Sequence, residues 1–372
     1  MTNKSASLSK LALQRFKKNI WGVFSFGFIL AMAFFAIFAY VIAPDDSKNA
    51  NQMALSIHSK SPGFKVNTIS IPNSSKEESR QSWLSKIFTG KKEVAQFYPV
   101  DDYSFKNDTL FYQVYGTASV EKSKSEFLLL DETFQGKTPQ QIEEEFIETK
   151  RYWLGTDRYG RDLLSRMLIG IRISLSIGFV AVFISLFIGI SLGATAGYFG
   201  GKIDATIMWL INVTWSIPTL LLVIAISLAL GKGFWQVFIA VGLTMWVEVA
   251  RIVRGQVKSV KEMQYVTAAH ALGFGHFRII YKHILPNVLA PVIVISAANF
   301  AAAILIESGL SFLGIGAQPP TPSWGAMIKD HYAYIVMGKA YLAIIPGVAI
   351  MSLVMAFMLI GNALRDALDV NE

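Results

Sequence analysis

Ile20 to Ala43 is an unbroken apolar run set between Lys17, Lys18 and Pro44, and about 20 such residues suffice for a helix to cross the hydrocarbon core of a bilayer. A secretory signal has a shorter apolar core, about 7 to 15 residues, followed by small residues for cleavage. Pro44 stands where that cleavage would fall, so the run reads as a retained anchor. Further apolar runs follow at about 170–198, 205–230, 234–253, 288–306 and 341–360, giving six spans in all. Charged residues make up 16% of the chain, against about 25% in an average soluble domain, which agrees with a membrane protein.

Charge then sets the orientation. The first nineteen residues carry Lys4, Lys10, Arg15, Lys17 and Lys18 and no acid, and the loop after the fourth span carries Arg251, Arg254, Lys258, Lys261, Arg278 and Lys282 against Glu262. Both segments are expected in the cytoplasm by the positive-inside rule, and an even number of spans puts both termini there. Residues 44–169 hold 17 basic and 18 acidic side chains and are expected outside. The net charge of +8 is therefore topological and gives no support to nucleic acid binding. The absence of cysteine excludes disulfides, thiolate nucleophiles and cysteine metal ligands. The expected organisation is an all-α polytopic protein of the cytoplasmic (inner) membrane. It has a tail at 1–19, a first span at 20–43, an extracytoplasmic α+β insert at 44–165, a five-span core at 166–365 and a tail at 366–372.

Within the insert, Leu110 to Tyr115 and Glu126 to Leu130 concentrate aromatic and branched residues as strands do. A short helix is signalled by Thr138 as N-cap, Pro139 at the first position and Gln141 completing a capping box, with Ile142, Phe146 and Ile147 on one face. The first third, rich in Ser, Asn and Lys up to about Ser85, is expected to bury little and to be partly mobile. The insert holds no acid, histidine and serine constellation that points to catalysis, so it reads as a structural cap or a docking surface. Gly136-Lys137-Thr138 resembles the end of a phosphate loop, but the glycine required five positions earlier is Asp131, and the motif is rejected.

Residues 251–286 carry a pattern that composition does not explain. Helical spacing runs from about Ser259 to Leu272, breaks at Gly273-Phe274-Gly275 and resumes to Ile284 before Leu285-Pro286. Gly273 suits the left-handed conformation that ends a helix, and Pro286 restricts the residue before it. Ala268, Ala269 and Ala271 let another surface approach the first helix closely, with Leu272 and Phe274 as apolar anchors. Such a projecting helix suits a groove on a partner.

These residues also carry a resemblance. Val266-Thr267-Ala268-Ala269-His270-Ala271-Leu272-Gly273, followed by His283-Ile284-Leu285-Pro286-Asn287, resembles the EAA loop of ABC importer permeases. Thr267 stands in the glutamate position and His283 in that of the first isoleucine. Three further stretches are similar to the C-type permease of the oligopeptide, dipeptide and nickel importers: Trp153-Leu154-Gly155-Thr156-Asp157-Arg158-Tyr159-Gly160-Arg161-Asp162, then Glu307 to Gly325 with Phe312, Pro320 and Trp324, and Leu364-Arg365-Asp366-Ala367-Leu368-Asp369. The resemblance covers about residue 150 to the end, with the first span as the usual anchor. It implies an importer subunit that forms the translocation path with a second, homologous permease. Thr267 to Phe274 would couple it to two cytoplasmic ATPases, and an extracytoplasmic binding protein would deliver the cargo. The chain is then not itself an enzyme and needs no cofactor, the partners binding ATP; no complete phosphate-loop motif is present in it. Oligopeptides or dipeptides are the expected cargo, with nickel or another small solute as the alternative.

The remaining polar positions are read physically. Gly155, Asp157, Gly160 and Arg161 mark a tight turn leading into the second span, with gating contacts by Asp157 and Arg161 as the alternative. Gly189, Gly193 and Gly197 form a small-residue stripe that lets helices touch backbone to backbone. Asn212, Trp215, Ser216 and Pro218 fall near the middle of the third span. Pro218 should kink that helix, while path lining and interhelical bonding remain open for the polar groups. Arg172, Glu248 and Glu307 lie close enough to span ends to snorkel, and Glu248 and Arg251 are spaced to pair. Glu307, Ser311, Phe312, Pro320 and Trp324 belong to a segment expected to fold back as an outer lip or gate, with an ordinary interfacial loop as the alternative. No acid or histidine sits at mid-span, which counts against an ATP-independent secondary carrier. A membrane-anchored binding or scaffold protein would instead place function in the insert. His58, His270, His276, His283 and His331 make no metal-ligand pair at helical spacing, so no metal is assigned.

Overall fold

The computed structural model describes residues 8–72, 82–91, 95–117, 126–134, 136–231 and 233–368. Helices α1 (Leu8–Lys18), α2 (Ile20–Ile37) and α3 (Ala39–Ile42) are followed by β1 (Phe64–Pro72), α4 (Trp83–Thr89), β2 (Ala95–Lys106), β3 (Thr109–Val114), β4 (Glu126–Leu129), α5 (Leu130–Phe134), α6 (Pro139–Phe146) and β5 (Ile147–Tyr152). Then come α7 (Leu163–Phe199), α8 (Gly201–Trp215), α9 (Thr219–Leu230), α10 (Phe234–Lys261), α11 (Gln264–Ala271), α12 (His276–Ile279), α13 (Leu285–Phe312), α14 (Trp324–His331) and α15 (Tyr341–Leu368). Among the described residues, five helices are long and apolar enough to cross a membrane, and the pair α8 and α9 brings the number to six if it is one span. The chain is a multi-pass membrane protein with a small sheet between its first two spans.

Two spans depart from the sequence reading. The third is not one kinked helix: α8 and α9 meet at 92°. Pro218 has no amide proton, and its ring excludes the carbonyl of Thr214 four residues back, so the helix cannot continue through Ser216 to Pro218. The opposite holds at Pro286, where a stop was expected and the helix runs on from His276 to Phe312. There Ile280–Ile284 widens into a π-turn, with Pro286 in the first turn of α13. A proline is tolerated in that first turn, and the wider turn lets the preceding backbone adjust to it.

Contacts divide the chain into two compact units, one of Met1–Ala33, Ser174–Gln318 and Val348–Glu372, the other of Phe34–Ile173 and Pro319–Gly347. In the first, α7 and α10 pack through the glycine stripe. A Cβ on Gly193 would stand 2.5 Å from the carbonyl oxygen of Ala250, and one on Gly197 2.8 Å from that of Arg254. The backbones touch as the stripe implies. Val249, Val253, Val257, Ile279, Ile284 and Val288 form a buried core beside that contact. Asp204, in the first turn of α8, accepts hydrogen bonds from Arg254 Nη2 at 2.7 Å and Lys258 Nζ at 2.9 Å, tying α8 to α10.

The second unit is built on a five-stranded antiparallel sheet in the order β4-β3-β2-β1-β5. Ile69, Val100, Leu110, Tyr112, Leu130, Phe134 and Ile142 fill one core against it. The capping box of α6 is formed: Gln141 N donates to Thr138 Oγ1 and Thr138 N donates to Gln141 Oε1. Ile147, expected on the helix face, instead begins β5. A larger correction concerns the first third of the insert, which supplies β1, held between β2 and β5. Asp45, Ser47, Ser59 and Thr68 are buried. The side chains of Asp45, Ser47 and Thr68 are hydrogen-bonded, so polar composition there reflects buried polar groups, not chain left exposed. The part of that third at 73–81 lies outside the described residues.

Candidate functional site

The segment after α10 is built as a short helix held between two breaks. Lys261 ends α10, Glu262 and Met263 turn the chain, and α11 follows, so the first helix of the loop is separate where continuous spacing suggested one run. At the other end of α11, Gly273 N donates to His270 O at 2.9 Å and Phe274 N donates to Ala269 O at 3.1 Å. With Gly273 at φ 75°, this is the paired closure of a Schellman motif. Val266 and Ala269 face the buried core while Thr267, Ala268, His270, Ala271 and Leu272 are exposed.

Leu272 is 73% exposed and free to anchor a partner. Phe274 is not: it is half-buried against the core of its own unit, stacked on His283 at 5.9 Å with the Arg278 guanidinium 4.2 Å from its ring. The larger exposed aromatics are Phe277 and Tyr281, stacked on each other at 6.2 Å, which helical spacing one turn apart would have revealed. The sequence reading also missed the buried hydroxyl of Tyr198 at the end of α7, which lies 3.2 Å from His270 Nε2 and 2.8 Å from His276 Nδ1.

At the break of the third span, Asn212, Trp215, Ser216 and Pro218 are all exposed. Arg251 reaches them from α10: its guanidinium lies 3.7 Å over the Trp215 ring, and Nη2 donates to Asn212 Oδ1 at 3.3 Å. The expected Glu248–Arg251 pair is not among the ion pairs of the described residues. Glu248 is exposed and Arg251 is drawn to the indole face, where a cation interacts with the ring quadrupole.

The five residues read as an outer lip are divided between the units. Glu307, Ser311 and Phe312 belong to the first. Glu307 does not snorkel; it is 1% exposed and accepts a hydrogen bond from Ser311 Oγ at 2.6 Å, while Ala317 N donates to the same Oγ at 3.1 Å. Pro320 and Trp324 belong to the second. Trp324 is 1% exposed, too deep for an interfacial anchor, and its Nε1 donates to Met167 O at 3.1 Å. Its ring occupies the space that a side chain at Gly170 would need.

The turn before α7 is an ionic knot. Gly155 and Gly160 have φ of 81° and 73°, and Cβ atoms there would strike the carbonyls of Lys60 and Ala54 at 2.2 and 1.8 Å. Asp157 is fully buried; its Oδ1 accepts from the amides of Tyr159 and Arg161 and its Oδ2 from Arg161 Nε at 2.7 Å. Arg161 Nη1 goes on to Asn51 Oδ1 at 3.0 Å, and Arg166 Nη1 donates to Asn49 O at 3.3 Å. Beside them, burial pushes the Asp162 carboxyl up from its ordinary range, partly offset by hydrogen bonds from Ser165.

His331, on α14, completes this cluster. Its Nδ1 lies 2.7 Å from Met327 O and its Nε2 accepts from Arg158 N at 3.2 Å, which requires the neutral imidazole. Burial holds its pKa below the ordinary histidine value, so the folded state binds fewer protons than the unfolded one near that value. The contribution to stability is complete above about pH 6.5 and is lost as pH falls through the folded pKa. The melting temperature of the detergent-solubilised chain should therefore drop between pH 7 and pH 5, and drop less in His331→Gln; equal drops would contradict this account.

With five or six candidate spans among the described residues, a short capped helix on a basic loop and a buried turn before the second span, the class is that of a permease. The profile of binding-protein-dependent transport system inner membrane components matches residues 189–370, and that of the N-terminal membrane domain of oligopeptide transport permease C matches residues 7–62. The dipeptide transport system permease protein DppC of Alkalihalophilus pseudofirmus is 42% identical over 218 residues, covering 59% of this chain and 71% of that one. The glutathione transport system permease protein GsiD of Escherichia coli O157:H7 is 41% identical over 219 residues, covering 59% and 72%. A solved inward-facing MetNI methionine ABC transporter aligns with a TM-score of 0.44 at 19% identity, over 55% of this chain and 96% of that one. The chain belongs to the inner-membrane components of binding-protein-dependent transport systems, as an ABC importer permease of the oligopeptide and dipeptide group.

Proposed function

We propose that this permease moves dipeptides or oligopeptides inward, forming the path with a second, homologous permease and driven by two cytoplasmic ATPases. The names of the relatives support a peptide cargo. The observation that carries the mechanism is α11 with its Schellman closure, which leaves Ala268, Ala271 and Leu272 outward beside Gly273. Small residues admit a partner surface to the helix backbone and Leu272 supplies an apolar anchor. On this reading Thr267 to Phe274 couple the spans to the ATPases, although Phe274 acts from the inner side. The basic loop and both termini are cytoplasmic, the insert is outside, and a binding protein presents the peptide there. Asn212, Trp215, Ser216 and Pro218, at the break in the third span, are assigned to the path, and Glu307, Ser311, Phe312, Pro320 and Trp324 to the outer gate.

ATP is bound by the partners, and alternating access follows because their closure favours one state of the spans over the other. Liposomes holding the purified assembly should take up labelled dialanine only with ATP on the ATPase side. Uptake by this chain alone without ATP would overturn the reading in favour of a secondary carrier.

A further inference from the structure

Tyr198 is 3% exposed and ends α7. Its hydroxyl is shared between His270 Nε2 at 3.2 Å and His276 Nδ1 at 2.8 Å. The His270 ring lies nearly parallel to the phenol, at 16° and 6.0 Å, and the His276 ring stands edge-on to it at 5.6 Å. His270 belongs to α11 and His276 opens α12, so one oxygen on α7 bridges both sides of the Gly273 turn. A phenol has a single proton. It can donate to one imidazole nitrogen while accepting an N–H from the other, and in that arrangement the nitrogen it donates to is bare. From α10, Lys261 Nζ lies 5.6 Å from the Tyr198 ring.

We propose that Tyr198 is a positioning residue for coupling: its hydroxyl holds the coupling helix and the start of the next helix to α7. The proposal rests on the coupling role assigned above. Motion imposed on α11 reaches α7 through this oxygen as well as through the apolar core.

The test uses liposomes holding the whole assembly, with labelled dialanine uptake and ATP hydrolysis measured together at pH 7.5. Tyr198→Phe removes only the hydroxyl. It should lower uptake per ATP about fivefold at pH 7.5, the scale of one neutral hydrogen bond, while ATP hydrolysis stays near that of the unaltered assembly. His276→Asn keeps a hydrogen-bonding group near the Nδ1 position and should retain most of the coupling, whereas His276→Leu, which offers the phenol no polar partner there, should lower uptake per ATP as Tyr198→Phe does, a difference that a merely structural role does not produce. Unchanged uptake per ATP in Tyr198→Phe, or equal coupling in His276→Asn and His276→Leu, overturns the proposal. Gly273→Trp in the same assay separates the two readings. If it uncouples and Tyr198→Phe does not, only the role of Tyr198 fails; if neither uncouples, the coupling loop itself is misassigned.

Discussion

Replacing Gly273 by tryptophan is expected to lower uptake per ATP about tenfold or more while the chain still inserts and the ATPases still turn over. Two effects combine at this position. A side chain in the left-handed region costs roughly 1–2 kcal/mol, and Gly273 sits there at φ 75°. Among the described residues, nothing lies within 4 Å of the Cβ that a substitution would add. The chain itself therefore tolerates bulk at Gly273, and an indole there projects into whatever meets α11. Gly273→Ala carries the backbone strain without the bulk and is expected to keep most of the coupling. Equal effects of Ala and Trp would show that strain alone matters and that no partner approaches the turn. Dialanine uptake and ATP hydrolysis in the reconstituted assembly distinguish these outcomes.

The second large effect is expected in stability. Asp157→Leu leaves Arg161 and Arg166, 4% and 5% exposed, without the carboxylate that both face at 2.6 and 3.7 Å. Removing one partner of a buried ionic group typically costs about 3–5 kcal/mol. For a unit of this size that is a fall in melting temperature on the order of 10 °C. Replacing the pair together, Asp157→Leu with Arg161→Met, should recover part of the loss, because a matched apolar pair avoids stranding one of the charges. Thermal unfolding of the solubilised chain, followed by tryptophan fluorescence, reads both. A single variant that melts with the unaltered chain would mean that water reaches this knot and solvates the arginines.

Much of the architecture was legible because the bilayer imposes a length. Runs of about 20 apolar residues are hard to read as anything but spans, and Thr138, Pro139 and Gln141 carried the start of α6 in their chemistry. What escaped the sequence depends on contacts between distant residues. Asp45 and Asn51 read as loop residues because their partners, Ser165 and Arg161, lie more than a hundred positions away. Tyr198, His270 and His276 look unrelated in the chain, and only the fold brings their polar atoms together. Prolines were legible as disturbances but not in size: Pro218 accompanies a break of 92°, whereas Pro286 is absorbed by a π-turn. Phe274 and Leu272, two apolar neighbours at one turn, differ in the direction each side chain takes, and spacing alone does not decide that.

The insert also leaves and rejoins the chain at one place. Gly63 N donates to the carbonyls of Tyr152 and Trp153 at 2.9 and 3.2 Å, and Phe64 pairs with Tyr152 across the first rung between β1 and β5. The family profiles end at residue 62 and resume at 189, so all of this excursion lies beyond them. Two strands that part at adjacent residues can be joined by a hairpin turn of two residues, and lengthening a loop between fixed ends adds little closure entropy. The sheet is thus joined covalently to the rest of the chain at a single stem, so its far loops can be shortened or enlarged without lengthening the route between the first and second spans.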